Sequence, residues 1–337
     1  MFSSSLSSID QNLGTVVDIE KYPIHDASAS AYERLVLQCR QDLAECGSMS
    51  LPGFIRTDVI EQMAHEVSDL PTHNRLEVVN LYGVNAASYI KRDFPPDTQL
   101  DQTHPLVREF AQDVHAVAND CIPPNALIQQ VYASSLLAQF LAAVLEVDKL
   151  HQFEDEFQKL NIMYMHDSGN RCWHFDGSDF VVTLMLQAAL EGGEFEFSPF
   201  LRGPQVFTET STTTCGGQEI STRKENYEGV RRVLDGSGAS SDSNTTPTEL
   251  RRPKAGTLNL FFGMRSLHRV RTVYGPRKRI MSVLSYHREP NQFCSEAMNI
   301  SLYGDRVRDI YTQRASEKRE KIEEGREGEE SCLTVTL

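Results

Sequence analysis

Long hydrophobic runs are missing from this sequence of 337 residues. No apolar stretch approaches the roughly 20 residues that a membrane-spanning helix requires. The first six residues lack the basic region and the apolar core of a secretory signal, and the last four match no targeting signal. We therefore expect a cytoplasmic protein that has no membrane partner.

Regularly spaced cysteine is also missing, because the seven cysteines form no Cys-x-x-Cys pair and their number is odd. This pattern favours a reducing compartment over a secreted disulfide framework. Positive charge is in deficit, with 33 Lys and Arg against 47 Asp and Glu and a net charge of −14. The deficit argues against binding to nucleic acid or to anionic lipid, since both need clustered Lys and Arg. The oligomeric state is left open.

Hydrophobic residues make up 40% of the chain, which is enough for a sizeable core. Residues 1–28 are Ser-rich and are expected to form a flexible arm. Residues 29–160 are expected to form a helical region that packs on the rest of the protein. Apolar residues at helical spacing, with capping and stop signals, predict helices over 28–46, 57–70, 104–119 and 126–147.

After residue 160, short apolar runs alternate with Gly- and Pro-containing turns, which is typical of an antiparallel sandwich or barrel. The runs predict strands over 161–165, 180–187, 193–197, 257–262 and 280–287. We expect this core to cover 161–304, with a loop excursion over 203–254 that includes the low-complexity segment 234–248. A charged helix and tail should cover 305–337. The predicted fold class is α+β.

The segment Cys172-Trp173-His174-Phe175-Asp176-Gly177 sets a histidine and an aspartate two residues apart. Side chains alternate along an extended segment, so His174 and Asp176 share one face and Phe175 points to the other. A second histidine, His268, lies far downstream in a strand–turn–strand context. Two imidazoles and one carboxylate form a three-point ligand set with open positions, which suits an iron(II) that activates oxygen. His166 is a candidate fourth ligand, although a polar loop residue explains it as well.

Arg279 stands at the head of a predicted strand, eleven positions beyond His268. Its planar guanidinium can hold a carboxylate through two parallel hydrogen bonds. Alternation places Met281, Val283 and Ser285 on the same strand face. If that face lines the barrel interior, the pocket is mainly apolar with one hydroxyl, which suits a small aliphatic substrate side chain.

Arg171, Val283 and Ser285 are the candidate substrate contacts. Arg171 lies three residues before His174, within reach of the same pocket, and could hold a substrate carboxylate. The alternative is a loop arginine paired with Asp167 or Asp179.

The His-x-Asp pair, the distal histidine and the following arginine resemble the iron(II)- and 2-oxoglutarate-dependent oxygenases over residues 160–290. The resemblance implies a double-stranded β-helix, which is a jelly-roll barrel with helices packed on one side. It implies that His174, Asp176 and His268 bind iron(II) and that Arg279 holds the distal carboxylate of 2-oxoglutarate. It also implies O2 as a co-substrate, with ascorbate in a supporting role.

Several segments resemble more particularly the branch that oxidises free amino acids, which contains halogenases, hydroxylases and fungal members in secondary metabolism. They are Trp173–Asp176, Val182–Leu184, Glu191–Phe197, Ser198–Arg202, Tyr227–Leu234 and Leu267–Val270. In the halogenases, glycine or alanine replaces the aspartate and opens a site for chloride. This chain keeps Asp176, so halogenation is disfavoured. The resemblance implies a small amino acid or related metabolite as substrate, with hydroxylation, desaturation or ring closure such as aziridine formation as the outcome.

Two other functions stay open. A cupin-like metal-binding sensor would have no task for Arg279, and a hydroxylase of protein side chains would need a wide groove. Glu194 and Glu196 share a strand face and could suggest acid–base chemistry. A solvent-facing edge of a half-buried strand explains them as well, and we favour that interpretation.

Overall fold

The protein contains both helices and antiparallel sheets in a computed structural model, which describes residues 7–83, 86–203, 225–236 and 248–333. The helices of these residues are α1 (Ser8–Gln11), α2 (Ser30–Cys46), α3 (Ile60–Glu66), α4 (Ala86–Asp93), α5 (Leu127–Ala133), α6 (Ser135–Val144), α7 (Tyr227–Leu234), α8 (Glu296–Tyr303) and α9 (Asp305–Leu333). The strands are β1 (Ser48–Leu51), β2 (His73–Asn80), β3 (Glu109–Val117), β4 (His151–Gln152), β5 (Leu160–Met165), β6 (Arg171–His174), β7 (Val181–Gln187), β8 (Glu191–Gly192), β9 (Phe195–Ser198), β10 (Glu249–Arg251), β11 (Leu258–Phe261), β12 (Leu267–Val270), β13 (Val273–Tyr274), β14 (Arg279–Leu284) and β15 (Tyr286–His287).

Two antiparallel sheets dominate the described residues. The large sheet has the strand order β1-β11-β7-β14-β5-β3-β2, and the small sheet has the order β10-β9-β12-β6. The chain passes repeatedly between them, because β5, β7, β11 and β14 lie in the large sheet while β6, β9, β10 and β12 lie in the small one. The strands predicted after residue 160 are present, and the mixed class of helices with a large antiparallel sheet is confirmed.

The large sheet has one apolar face toward the helices and one face toward a cavity that it shares with the small sheet. On β14, Ile280 and Leu284 are buried in the main hydrophobic core, which also contains residues of α2, α3, α5 and α6. The alternate residues Arg279, Met281 and Val283 line the cavity. The strict alternation of a strand therefore separates scaffold from site, as the sequence predicted for this segment.

Helix α2 follows the predicted pattern closely. Val36, Cys39 and Leu43 are buried at spacings of three and four residues. The helix ends because Gly47 adopts a left-handed φ of 68°, which lets its N–H bond to the carbonyl of Leu43. Helix α3 is shorter than the predicted helix over 57–70.

The helix predicted over 104–119 is wrong, since this segment contains strand β3. Gln112, Val114 and Ala116 are buried, while Asp113 and His115 between them are only half-buried, which is the period of a strand. The strand pairs with β2 on one side and β5 on the other. Pairing with these partners overrides the helical preference of the local sequence.

The single helix predicted over 126–147 is interrupted at Ser134. This residue is extended (φ −66°, ψ 123°) and caps α6, since its hydroxyl accepts a hydrogen bond from the N–H of Leu137. Within the described residues no single helix has the length and apolar character to cross a membrane. The bent pair α5 and α6 meets those criteria only when both are taken together, and its apolar side chains belong to the main core.

Residues 7–28, expected as part of a flexible arm, pack against the main core through Leu13, Val16, Val17, Tyr22 and Ile24. The excursion expected over 203–254 contains helix α7 and strand β10. Residues 204–224 and 237–247, and with them most of the low-complexity segment, lie outside the described residues.

Candidate metal centre

The pairing of β6 with β12 brings the two histidines of the sequence motif together. His268 lies directly opposite His174 in the antiparallel register, and their ring centroids are 4.1 Å apart. The carboxylate of Asp176 faces both imidazoles, with Nε2 of His174 at 3.5 Å from Oδ1 and Nε2 of His268 at 3.2 Å from Oδ2. The three ligand atoms lie within 4.8 Å of one another. Three side chains that the sequence could only propose as a set thus converge.

Backbone carbonyls orient both imidazoles. Nδ1 of His174 donates to the carbonyl of Cys172 at 2.8 Å, and Nδ1 of His268 donates to the carbonyl of Ser266 at 2.8 Å. A carbonyl oxygen only accepts, so the proton must be on Nδ1 in each ring. The Nε2 lone pairs therefore point at the shared centre, which is the arrangement that histidine ligands of metals adopt.

Gly263 holds the third ligand. Its carbonyl accepts a hydrogen bond of 3.1 Å from the N–H of Asp176. A Cβ atom at residue 263 would lie 2.8 Å from Cγ of Asp176. Only glycine leaves room there for the carboxylate in its present position.

The protonation states suit a divalent metal. Burial lowers the pKa of His174 to about 4, and the charges of His268 and Arg171 act in the same direction. Burial alone would raise the pKa of Asp176, but the two imidazoles that face the carboxylate, His268 and then His174, outweigh burial and hold the pKa below its usual range. At neutral pH His174 is therefore neutral and Asp176 ionised, as metal ligands must be.

The donor set fits iron(II). Two imidazole nitrogens and one carboxylate oxygen, with remaining positions open, are typical of non-haem iron enzymes that use oxygen. No other group of three His, Cys, Asp or Glu side chains comes together in this way among the described residues. His166 lies elsewhere, with its ring 4.7 Å from that of His115. It is not part of the cluster.

Arg279 lies in the same cavity and is only 2% exposed. Its Nε donates to the carbonyl of Gly193 at 3.1 Å, and its Nη2 donates to the sulfur of Met281 at 3.4 Å. Its Nη1 is buried and has no hydrogen-bond partner among the described residues. Burial lowers its pKa to about 10. Burying a guanidinium without a carboxylate partner costs free energy. This guanidinium lines the cavity that also contains the proposed metal ligands.

The cavity has a volume of 280 Å³ and lies between the two sheets. Val283 and Ser285 line it, as the strand alternation predicted. Ser285 donates its hydroxyl hydrogen to the carbonyl of Gln158 at 2.8 Å, so it offers a ligand an acceptor. Leu302, from α8, closes part of the wall.

Arg171 also lines the cavity, and neither of its suggested acidic partners pairs with it. Asp179 instead pairs with Arg288 at 2.8 Å, and Asp167 accepts from the N–H of Gly275 at 2.8 Å. Arg171 donates to Gln112 at 2.7 Å. The alternative of a loop arginine paired with either aspartate is therefore wrong.

Arg75, which no sequence signal pointed to, lies on β2 and lines the same cavity. Its Nη2 is 3.2 Å from Glu77, and its Nε is buried with no hydrogen-bond partner in the described residues. Burial, followed by the charge of Arg171, lowers its pKa to about 10. Strand β2 had no predicted structure, so no signal placed this residue.

Glu194 and Glu196 are buried, so the expected solvent-facing edge is wrong. Both carboxylates are neutralised by arginines: Glu194 by Arg252 at 2.5 Å, and Glu196 by Arg269 and Arg271 at 2.8 and 2.7 Å. Neither glutamate lines the cavity of the metal ligands. Because their ion pairs lie outside that cavity, the two glutamates have no acid–base task at the centre.

No protein-family model and no curated protein matches the sequence. Solved structures do match. An oxidoreductase of the 2OG-Fe(II) oxygenase family from Burkholderia pseudomallei is 15% identical, with a TM-score of 0.44 over 75% of this chain and 91% of that chain. The non-heme alpha ketoglutarate dependent epimerase SnoN from nogalamycin biosynthesis is 11% identical, with a TM-score of 0.46 over 75% and 83%. HygX from Streptomyces hygroscopicus, solved with nickel and 2-oxoglutarate bound, is 12% identical, with a TM-score of 0.42 over 76% and 88%.

Proposed function

We propose that this protein is an iron(II)- and 2-oxoglutarate-dependent oxygenase that oxidises an unactivated C–H bond of a small anionic metabolite. A free amino acid is the first substrate class to test. One observation carries the proposal: the cluster of His174, Asp176 and His268 shares its cavity with Arg279, a buried guanidinium that has no acidic partner among the described residues. A cupin-like sensor would need the metal ligands alone and would have no reason to keep this cation.

We also infer that the core is a double-stranded β-helix, or jelly roll. The support is the alternation of successive strands between two facing antiparallel sheets, which is how a jelly roll is built. Helices α2, α3, α5 and α6 pack on the outer face of the large sheet, and the cavity lies between the sheets.

The side chains of the cavity divide into clear tasks. His174, Asp176 and His268 would hold iron(II) and leave positions for 2-oxoglutarate and O2. When bound, iron(II) would supply the oxidative decarboxylation of 2-oxoglutarate to succinate and the oxidation of the substrate C–H bond. Arg279 would bind the distal carboxylate of 2-oxoglutarate, and this ion pair would offset the cost of burying the guanidinium.

Arg171 and Arg75 would bind a substrate carboxylate. Both line the cavity, each is close enough to the other for their charges to interact, and Arg75 keeps a buried N–H without a partner in the described residues. Asp176 is the one acidic residue in the described lining, so a cationic substrate side chain would find no free counter-charge. Val283 and Ser285 would contact the neutral part of the substrate.

The dimensions of the cavity favour a small molecule over a protein side chain. A volume of 280 Å³ between two sheets suits a metabolite, whereas a peptide segment needs a long groove. The role in secondary metabolism and the choice among hydroxylation, desaturation and ring closure are further proposals that rest on the resemblance of the sequence alone.

Succinate release from the reconstituted protein tests the proposal. Purified protein would be supplied with iron(II), ascorbate and 2-oxoglutarate, and free amino acids would be screened for substrate-stimulated succinate. We expect stimulation by acidic or neutral amino acids, and loss of turnover in His174→Ala with turnover kept in the matched control His166→Ala. Equal turnover in His174→Ala would overturn the metal assignment. Turnover of 2-oxoglutarate that no amino acid stimulates would contradict the substrate class.

A further inference from the structure

Arg202 is buried directly behind the metal centre, on the side of the small sheet that faces away from the cavity. Its guanidinium carbon is 3.7 Å from the ring centroid of Phe175, the residue between His174 and Asp176. The ring centroids of Tyr82 and Tyr89 lie 5.2 and 5.6 Å from the same carbon. Cation–π contacts thus hold Arg202 against Phe175, the residue that separates two proposed metal ligands in the sequence.

Arg202 also contacts the turn that leads to the third ligand. Its Nη1 donates to the carbonyl of Met264 at 3.3 Å, and its backbone N–H donates to the carbonyl of Arg265 at 3.0 Å. Met264 directly follows Gly263, whose carbonyl accepts from the N–H of Asp176 at 3.1 Å. The guanidinium therefore contacts Phe175, which precedes Asp176, and Met264, which follows Gly263. These are the neighbours of the two residues whose backbone hydrogen bond positions Asp176.

The same turn orients the second histidine. The carbonyl of Ser266 accepts from Nδ1 of His268 at 2.8 Å, so any movement of the turn would rotate that imidazole. Arg202 thus joins the segment that carries His174 and Asp176 to the segment that carries His268.

Glu225 fixes the position of the Arg202 guanidinium. Nε of Arg202 donates to Oε2 of Glu225 at 2.8 Å, and the two side chains are only 8% and 3% exposed. Buried ion pairs of this kind contribute little net stability compared with apolar side chains of similar volume. Their clearer effect is to restrict geometry, which here is the position of the guanidinium over Phe175.

We propose that Arg202 is a positioning residue that sets the spacing of the metal ligands without touching the metal or the substrate. This inference rests on the metal site of the proposed function. Replacing Arg202 would keep all three ligand side chains in the protein. The segment of His174 and Asp176 could then move relative to the segment of His268. Outer contacts of metal ligands typically contribute about 10- to 100-fold in metal affinity.

Cobalt(II) binding to the metal-free protein tests the inference without any need for a substrate. Affinity would be measured by calorimetry, and ligand geometry by the visible absorption of bound cobalt(II). The variants are Arg202→Lys, which keeps the ion pair but loses the flat guanidinium, and Arg202→Met/Glu225→Met, which leaves no buried charge alone. If the double variant does not fold, Arg202→Lys decides the question. The matched control is Arg108→Met, because Arg108 also pairs with a carboxylate (Asp235, 2.7 Å) and lies over a ring (Phe110, 5.4 Å) beside the same aromatic cluster.

We expect about 10-fold or greater loss of cobalt(II) affinity and an altered absorption band in the Arg202 variants, with wild-type behaviour in the control. Far-UV circular dichroism would establish that each variant is folded at the temperature of measurement. Wild-type affinity and an unchanged band in a folded Arg202 variant would overturn the positioning role. Failure of the wild-type protein to bind cobalt(II) would instead overturn the metal site of the proposed function, and the positioning role with it.

Discussion

Gly263 lies against the carboxylate of Asp176 so closely that a Cβ atom at residue 263 would be 2.8 Å from Cγ of Asp176 and would overlap its Oδ2. The carbonyl of the same glycine accepts a hydrogen bond from the N–H of Asp176. The aspartate ligand is thus held by the backbone of a segment far away in sequence.

Gly263→Ala should weaken metal binding by about 10-fold or more, because the added methyl group must displace the carboxylate of Asp176. Calorimetry with cobalt(II) or nickel(II) measures the effect. Gly177→Ala is the matched control, since a Cβ at Gly177, directly after Asp176, would meet no atom within 4 Å. Equal affinities in the two variants would contradict the steric role of Gly263.

Arg279→Met should raise the free energy of unfolding of the protein without 2-oxoglutarate, by about 1–3 kcal/mol, because the substitution removes a buried cation with an unsatisfied N–H. The same variant should lose the stabilisation that 2-oxoglutarate confers on the metal-loaded protein. Urea unfolding with and without 2-oxoglutarate measures both effects. Arg288→Met, which breaks the pair with Asp179, should show no such gain. A less stable Arg279→Met protein would contradict the view that this guanidinium lacks an acidic partner among the described residues.

A divalent metal should stabilise the fold, because the ligand set exists only in the native state. At a free metal concentration of 100 times Kd, the expected gain is about 2.7 kcal/mol, read as a rise in Tm after EDTA-treated protein is reloaded. His174→Ala should abolish the rise. His166→Ala should keep it, since His166 lies outside the ligand cluster. Loss of the rise in His166→Ala would restore that residue as a fourth ligand.

Asp10→Asn should destabilise the protein in a pH-dependent way. The carboxylate accepts hydrogen bonds from Ser134 at 2.8 Å and from Ser135 at 2.7 Å, at the start of α6. Burial acts to raise the pKa of Asp10, but the hydroxyl hydrogen bonds outweigh it and the pKa is lowered. Because the folded-state pKa lies below the unfolded one, the stabilisation is complete above the usual carboxyl pKa and disappears as the pH falls through the folded value.

We expect a loss of about 1.5–3 kcal/mol at pH 7 in Asp10→Asn. The difference from wild type should narrow below about pH 4, because the Asp10 carboxyl group then takes up a proton in the unfolded chain before it does so in the folded protein. Urea unfolding at a series of pH values gives the difference directly. A difference that does not change with pH would show that the charge of Asp10 is not what stabilises the start of α6.

Local periodicity was sufficient to predict the strands of the second half of the chain and the residues that face the cavity. On β14, alternation alone placed Arg279, Met281 and Val283 on one face, and the structure has them there. In the same way, the stop of α2 could be predicted because Gly47 is a purely local signal. The His-x-Asp spacing belongs to this class, since two ligands two residues apart share a face in any extended segment.

Strand β3 shows the limit of such arguments. Its sequence is compatible with a helix, and it becomes a strand because β2 and β5 supply hydrogen-bonding partners on both sides. Arg75 was missed for the same reason, since its position in the cavity depends on the pairing of β2 with β3. The sequence of a segment does not show which distant segment it will pair with in the folded protein.

The sequence alone was sufficient for the strand periodicity and for choosing four candidate side chains: His174, Asp176, His268 and Arg279. Each of these inferences depends on neighbours in the chain. The convergence of those side chains could not be derived in this way. His174 and His268 become ligands of one site only through the antiparallel register of β6 and β12, and Asp176 only through its contact with Gly263. Only tertiary packing brings such distant segments to within a few ångströms. Tertiary packing also decides that Arg279 is buried with no acidic side chain beside it, within the part of the chain that the structure describes.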